Sequence, residues 1–178
     1  MKRILYFKAI LCIIIYFSIT GICYTIPSTK EMKKIKIAQN ALKIDFEKEL
    51  NNNLYLVIYY SQHTLFDNIE NMTEHDTKLY YDYKVTVSTK MLKNNIELLK
   101  ELNSIKLKKI SNDTYYYVVA VAEFKTKNKN LLTFSVGAGS YDSIQVNGVL
   151  FSQNSRPFFE VIKKFVPYII RKNFLLPK

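Results

Sequence analysis

The stretch TYYYVVAVAEFKT, Thr114–Thr126, constrains the fold more than any other part of the chain. Side chains along a strand point alternately to opposite faces, and here both alternating sets are apolar. Tyr116, Val118, Ala120, Ala122 and Phe124 make one set; Tyr115, Tyr117, Val119 and Val121 make the other. A strand of this kind needs cover on both faces, so the spacing predicts a central strand in a packed sheet.

Its neighbours read as partners for that strand. LYLVIYY, Leu54–Tyr60, is short, β-branched and aromatic, and YYDYKVTVST, Tyr80–Thr89, alternates. After the polar turn KNKN, Lys127–Asn130, Leu132–Ala138 returns with Phe134, Val136 and Ala138 on one side, and Ile144, Val146 and Leu150 continue as a further strand.

Three helices are expected around them. Ser28-x-x-Glu31 is a capping-box pattern, in which two side chains satisfy free backbone donors reciprocally. Ile35, Ala38, Leu42, Phe46 and Leu50 then recur at helical spacing, predicting one helix over 29–50 stopped by Asn51-Asn52-Asn53. KMLKNNIELLKELNSI places Leu92, Ile96, Leu99 and Leu102 on one face. Arg156–Lys172 carries Pro157 in its first turn and Phe158, Ile162, Phe165 and Ile169 inward, with Pro167 expected to kink the helix or end it near Val166.

The order of elements predicts an α+β domain: an antiparallel sheet of about five strands packed by two or three helices. Small folds of the cystatin or nuclear-transport-factor type share this outline; the comparison is one of architecture only, because no motif in the chain carries it further.

The N-terminus reads as an address. Lys2, Arg3 and Lys8 flank the uncharged run Ala9–Tyr24, which is long for a signal-peptide core and short for a membrane span. Residues 1–23 are therefore expected to be a signal peptide, leaving 24–178 as a single exported domain, periplasmic or secreted. The alternative is a membrane anchor over residues 4–26 that stays in place, with Lys30, Lys33, Lys34 and Lys36 at the headgroups. Both cysteines, Cys12 and Cys23, fall in this leader, which suits an oxidising compartment and excludes a cysteine nucleophile downstream.

The net charge of +11 invites an anionic partner. Yet arginine occurs only at Arg3, Arg156 and Arg171, and Lys, Ile, Asn and Tyr dominate, as AT-rich coding delivers. The charge is thus read as composition that aids solubility; a protein partner or an anionic surface in the envelope is expected rather than a nucleic acid.

Candidate chemistry is sparse. Residues 61–79 form an acidic island, in which His63 and Asp67 are spaced i, i+4 and His75 lies between Glu74 and Asp76. Imidazoles beside carboxylates can bind a divalent metal or act as a general base, so His63, Asp67 and His75 are the catalytic and metal candidates. No H-E-x-x-H, G-x-S-x-G or S-x-x-K is present, the bland alternative is a solvated acidic segment, and no cofactor is implied. The tyrosines offer a second candidate: Tyr81, Tyr83, Tyr115 and Tyr117 fall in predicted strands and can present an aromatic face to a ligand or partner, or pack as cross-strand neighbours. Two readings follow, a non-catalytic exported binding domain and a small exported hydrolase or metal-dependent enzyme.

Three of the four glycines, Gly137, Gly139 and Gly148, lie in TFSVGAGSYDSIQVNG. A phosphate-binding loop would need a helix at its last glycine, and strand alternation follows instead. The segment is expected to be a strand end that bends through Ser140–Ser143, with Gly148 relieving the returning strand.

Overall fold

The computed structural model describes residues 28–61, 72–107, 110–111, 116–137 and 142–167. The chain divides near Lys30, and the fold set out below is that of the unit Glu31–Lys178. Its elements run α1 (Thr29–Leu42), α2 (Phe46–Asn51), β1 (Tyr55–Tyr60), α3 (Glu74–Leu79), β2 (Tyr83–Val87), α4 (Thr89–Lys93), α5 (Ile96–Ser104), β3 (Val118–Lys125), β4 (Asn130–Gly137), β5 (Ser143–Val146), β6 (Val149–Ser152) and α6 (Arg156–Phe165). The architecture is α+β, with a single antiparallel sheet ordered β2-β1-β3-β4-β5-β6.

The expected central strand is β3, paired with β1 on one side and β4 on the other. One face of the sheet carries the core: Leu56 and Ile58 of β1, Ala120, Ala122 and Phe124 of β3, and Phe134 and Val136 of β4 are all buried. Helix stripes close over it through Leu42, Phe46, Leu99, Leu102, Phe158 and Ile162. A run of aromatic contacts ties the layers together, Phe46 to Phe124 at 5.4 Å, Phe124 to Phe134 at 6.3 Å and Phe134 to Phe158 at 5.0 Å between ring centroids. Burying each such ring stabilises the fold by about 1.5–3 kcal/mol.

The sheet has six strands rather than about five, because the segment expected as one strand over Ile144–Leu150 is a hairpin. Asn147 and Gly148 have φ of 47° and 76°, positive at both central positions as a type I′ turn requires, and β5 folds back on β6 through this pair. Gly148 is thus the turn itself, not a relief point within a strand. Asn147 also fixes the neighbouring strand: its Oδ1 accepts from Thr133 N at 2.9 Å.

The expected helix over 29–50 is interrupted at Lys43–Asp45. Asp45 caps α2 by accepting from Lys48 N at 3.0 Å, while the Ile44 carbonyl is taken by Asn103 Nδ2 at 2.7 Å. The apolar stripe survives the break, with Leu42, Phe46 and Leu50 still buried. The next expected helix also divides, at Asn94–Asn95, where Asn95 Nδ2 donates to Met91 O at 2.8 Å and competes with helix continuation. The last helix ends as expected: Val166, the residue before Pro167, is extended at φ −84°, ψ 126°. Residues 168–172 of that expected helix lie outside the described residues.

Candidate functional site

The sheet face opposite the core sets the polar Glu123, Thr133 and Ser135 beside the buried Val57 and Val121, and α3 packs on it. A capping box starts this helix: Asp76 N donates to Thr73 Oγ1 at 3.3 Å, and Thr73 N donates to Asp76 Oδ2 at 3.0 Å. The hydrogen bond from the Thr73 hydroxyl, then that from its backbone N–H, holds the Asp76 carboxyl below its ordinary value. Thr77 is buried against the sheet, its hydroxyl within hydrogen-bond distance of Thr73 O at 2.9 Å and Val118 O at 3.1 Å.

Beneath α3 the charges are matched. Glu123 of β3, 5% exposed, meets Lys78 at 3.1 Å and Lys125 at 2.6 Å. Burial acts to raise its carboxyl, but the hydrogen bonds from Lys125 and Lys78 outweigh burial and hold it below the usual range. Glu74 is raised, chiefly by burial; a hydrogen bond with Ser135 and the charge of Lys78 oppose the rise, and Glu123 adds to it. One Glu74 oxygen, Oε1, is buried without a hydrogen-bond partner.

Gly137 finds its explanation here. The Tyr116 ring crosses its backbone, so that a Cβ at position 137 would lie 2.8 Å from Tyr116 Cε2, and the Tyr116 hydroxyl donates to Ser135 O at 2.7 Å. Ser135 Oγ in turn donates to Gln145 Oε1 at 3.1 Å. Burial pushes the Tyr116 hydroxyl far up, out of reach of titration near neutrality. The layer is a packed polar network in which Glu123 is paired with Lys78 and Lys125 while Glu74 keeps one buried oxygen without a partner, and the bonds that are made order the sheet face.

The tyrosine candidates occupy the margin of the sheet. Leu79, Tyr80, Tyr81 and Tyr83 are 57%, 64%, 41% and 37% exposed, an apolar-rich cluster within five residues at the start of β2. Tyr80 caps α3, and Tyr81 and Asp82 precede the strand, which begins at Tyr83 and not at Tyr80 as expected. The reason is local: Asp82 N donates to Tyr60 O at 2.9 Å, and regular pairing runs only from Tyr60 opposite Tyr83.

Tyr81 packs edge-on against Tyr59 at 5.5 Å, and Tyr83 stacks on Tyr60 at 6.2 Å. Successive residues of β1 face opposite ways, so the two pairs bracket the margin from both faces instead of forming one flat platform. Lys84 Nζ lies over the Tyr59 ring at 5.2 Å, a cation–π distance. Burial, then the charges of Asp82 and Tyr83, raise the Tyr60 hydroxyl strongly.

The remaining sequence candidates are dispersed. Tyr117 is half-buried ahead of β3, two strands away in the sheet order, and Tyr115 lies outside the described residues. His75 is exposed on the first turn of α3, while His63 and Asp67 lie outside the described residues. Among the described residues no group of three or more His, Cys, Asp or Glu side chains is placed to hold a metal ion. None of the described helices is long and apolar enough to cross a membrane.

These features define an α+β domain whose second sheet face is closed by α3 and whose β2 margin presents aromatic rings and a lysine. The sequence matches no protein-family model, and the comparisons with curated proteins and with solved structures likewise gave no match.

Proposed function

We propose that residues 24–178 are an exported, non-catalytic domain that binds a protein partner through the aromatic margin of β2. The observation that carries this reading is the run Leu79–Tyr83, where four large side chains of apolar body stand exposed together. Tyrosines are suited to such a role because a ring supplies contact area at small entropic cost and the hydroxyl stays wet. The cystatin- or nuclear-transport-factor-type outline belongs to this reading as an architectural comparison. Export rests on the leader, residues 1–23, with an anchor over residues 4–26 as its alternative; N-terminal sequencing of protein from fractionated cells separates the two.

The partner is tested by site-specific photo-crosslinking in the native cells. A crosslinker at Tyr81 should give a discrete protein adduct that one at Lys127, an exposed turn residue remote in the sheet, does not. The same adduct should persist when His63 and His75 are both replaced by alanine. Indistinguishable patterns from Tyr81 and Lys127 would sink the proposal, and loss of the adduct in the folded histidine variant would favour the enzyme reading.

A further inference from the structure

The two margins of the sheet are treated differently. On the outer side of β6, Ile110 bridges to Phe151 and Ser111 N donates to Leu150 O at 2.9 Å. On the outer side of β2 no strand or bridge is present among the described residues. The chain leaves the described part at Ser61 and returns at Met72, and both residues bond to the start of β3: Ser61 N donates to Val119 O, and Val118 N donates to Met72 O. In an antiparallel pair alternate residues turn their N–H and C=O groups away from the partner, so on its outer side β2 offers a row of backbone groups that no strand or bridge among the described residues pairs. Such a row recognises extended backbone.

We infer that β2 takes an extended acidic peptide segment of the partner as a seventh strand, with Tyr81 and Tyr83 receiving its alternate side chains. This deepens the binding reading above and rests on it. The rings bracket the margin from opposite faces, at 5.5 Å from Tyr59 and 6.2 Å from Tyr60, and an incoming strand presents side chains to both faces in alternation.

Charge selects the occupant. Lys84 is exposed and held at the margin over Tyr59, and no carboxylate among the described residues pairs with it. A second copy of the chain fits poorly: pairing β2 with itself about Val85 sets Lys84 opposite Thr86 and brings the two lysines to a diagonal separation of about 7–8 Å, on domains that each remain strongly positive without the leader's Lys2, Arg3 and Lys8. An Asp or Glu facing Lys84 removes that conflict, and the positive field of the domain attracts an acidic segment from a distance.

The test is selection of the full chain against a displayed library of random seven-residue peptides, followed by synthesis of the selected peptides with N-methyl groups on alternate backbone amides. Selected sequences should alternate and carry Asp or Glu. Methylation of one alternating set should weaken binding at least tenfold while methylation of the other does not, and the amides of β2 should exchange more slowly at saturation. Lys84→Glu should reverse the charge preference to basic peptides.

Failure to select any peptide, selection of basic ones, or tolerance of both methylation patterns would overturn strand addition. So would a concentration-dependent dimer that the selected peptides do not dissociate. If both methylation patterns are tolerated but Tyr81→Ala abolishes binding, strand addition falls and the aromatic margin stands. If Tyr81→Ala is also without effect, both fall.

Discussion

Gly137→Ala isolates what the glycine does. Its backbone is not among those with positive φ, so alanine meets no conformational barrier there. At a compatible position such a change stabilises by about 0.4–1 kcal/mol, through the unfolded chain. The obstacle is the Tyr116 ring: the new Cβ would lie 2.8 Å from Cε2 and 3.2 Å from Cδ2, with Tyr117 O at 3.1 Å. To clear it the ring must move, and its hydroxyl then leaves Ser135 O, now at 2.7 Å. Overpacking of this kind costs about 1–3 kcal/mol, and the lost hydrogen bond about 1 kcal/mol. We expect a net destabilisation of about 1–3 kcal/mol in urea melts of the full chain. In a Tyr116→Ala background the ring is gone and the same substitution should cost at least about 1 kcal/mol less, with Tyr116→Phe reporting the hydroxyl alone. If Gly137→Ala costs the same in both backgrounds to within about 0.5 kcal/mol, the ring is not the reason for the glycine.

Glu74 gives the stability a pH dependence of defined sign. Its carboxyl is raised in the folded state from 4.5, so the proton it holds favours folding fully below the unfolded value, and that contribution is lost as pH climbs through the folded value. Glu74→Gln should therefore gain in Tm over the parent from pH 4 to pH 7; a constant gap refutes the burial of that carboxyl. Thr73→Ala removes the cap of α3 and should cost about 0.5–2 kcal/mol, with faster amide exchange confined to Glu74–Leu79. Gly148→Ala meets nothing within 4 Å but must hold φ at +76°, so a loss of about 1–2 kcal/mol is expected from backbone strain alone; a neutral result in a urea melt would contradict the type I′ turn.

The central strand was legible because its signal is local: two apolar alternations over Thr114–Thr126 have no other stable setting, and β3 lies third in the six-strand order. The end of α6 was legible for the same reason, since proline restricts the residue before it. The breaks after Leu42 and Lys93 were not: the second is a local competition by the Asn95 side chain for Met91 O inside a helical pattern, and the first is fixed by partners far along the chain. Asn103 takes the Ile44 carbonyl across 59 residues, and Gln39 bonds both Ile105 O and Leu107 N. The Asn147-Gly148 turn is a different case: the dipeptide is a strong hairpin signal in its own right, obscured by reading Ile144, Val146 and Leu150 as one alternation. In the acidic island, Thr73-x-x-Asp76 marks a helix start that the net charge of the segment hid.

Alternation along the strands shows that adjacent tyrosines must face opposite ways, but it cannot say which strand ends a sheet. That is decided by pairing order, and it changes what the rings mean. In the interior of this sheet, Tyr116 is spent on covering Gly137 and binding Ser135 O, and Glu123 is matched by Lys78 and Lys125. A side chain used in this way has its polar atoms and its contact surface already committed. At β2 the same residue type is left with one face packed, on Tyr59 or Tyr60, and the rest exposed beside a lysine that no described carboxylate neutralises. Apart from the buried Glu74 Oε1, that sheet face is thus satisfied by the fold's own groups, whereas among the described residues the margin keeps rings, charge and backbone donors in surplus, and it is on surplus of this kind that recognition of another chain can draw.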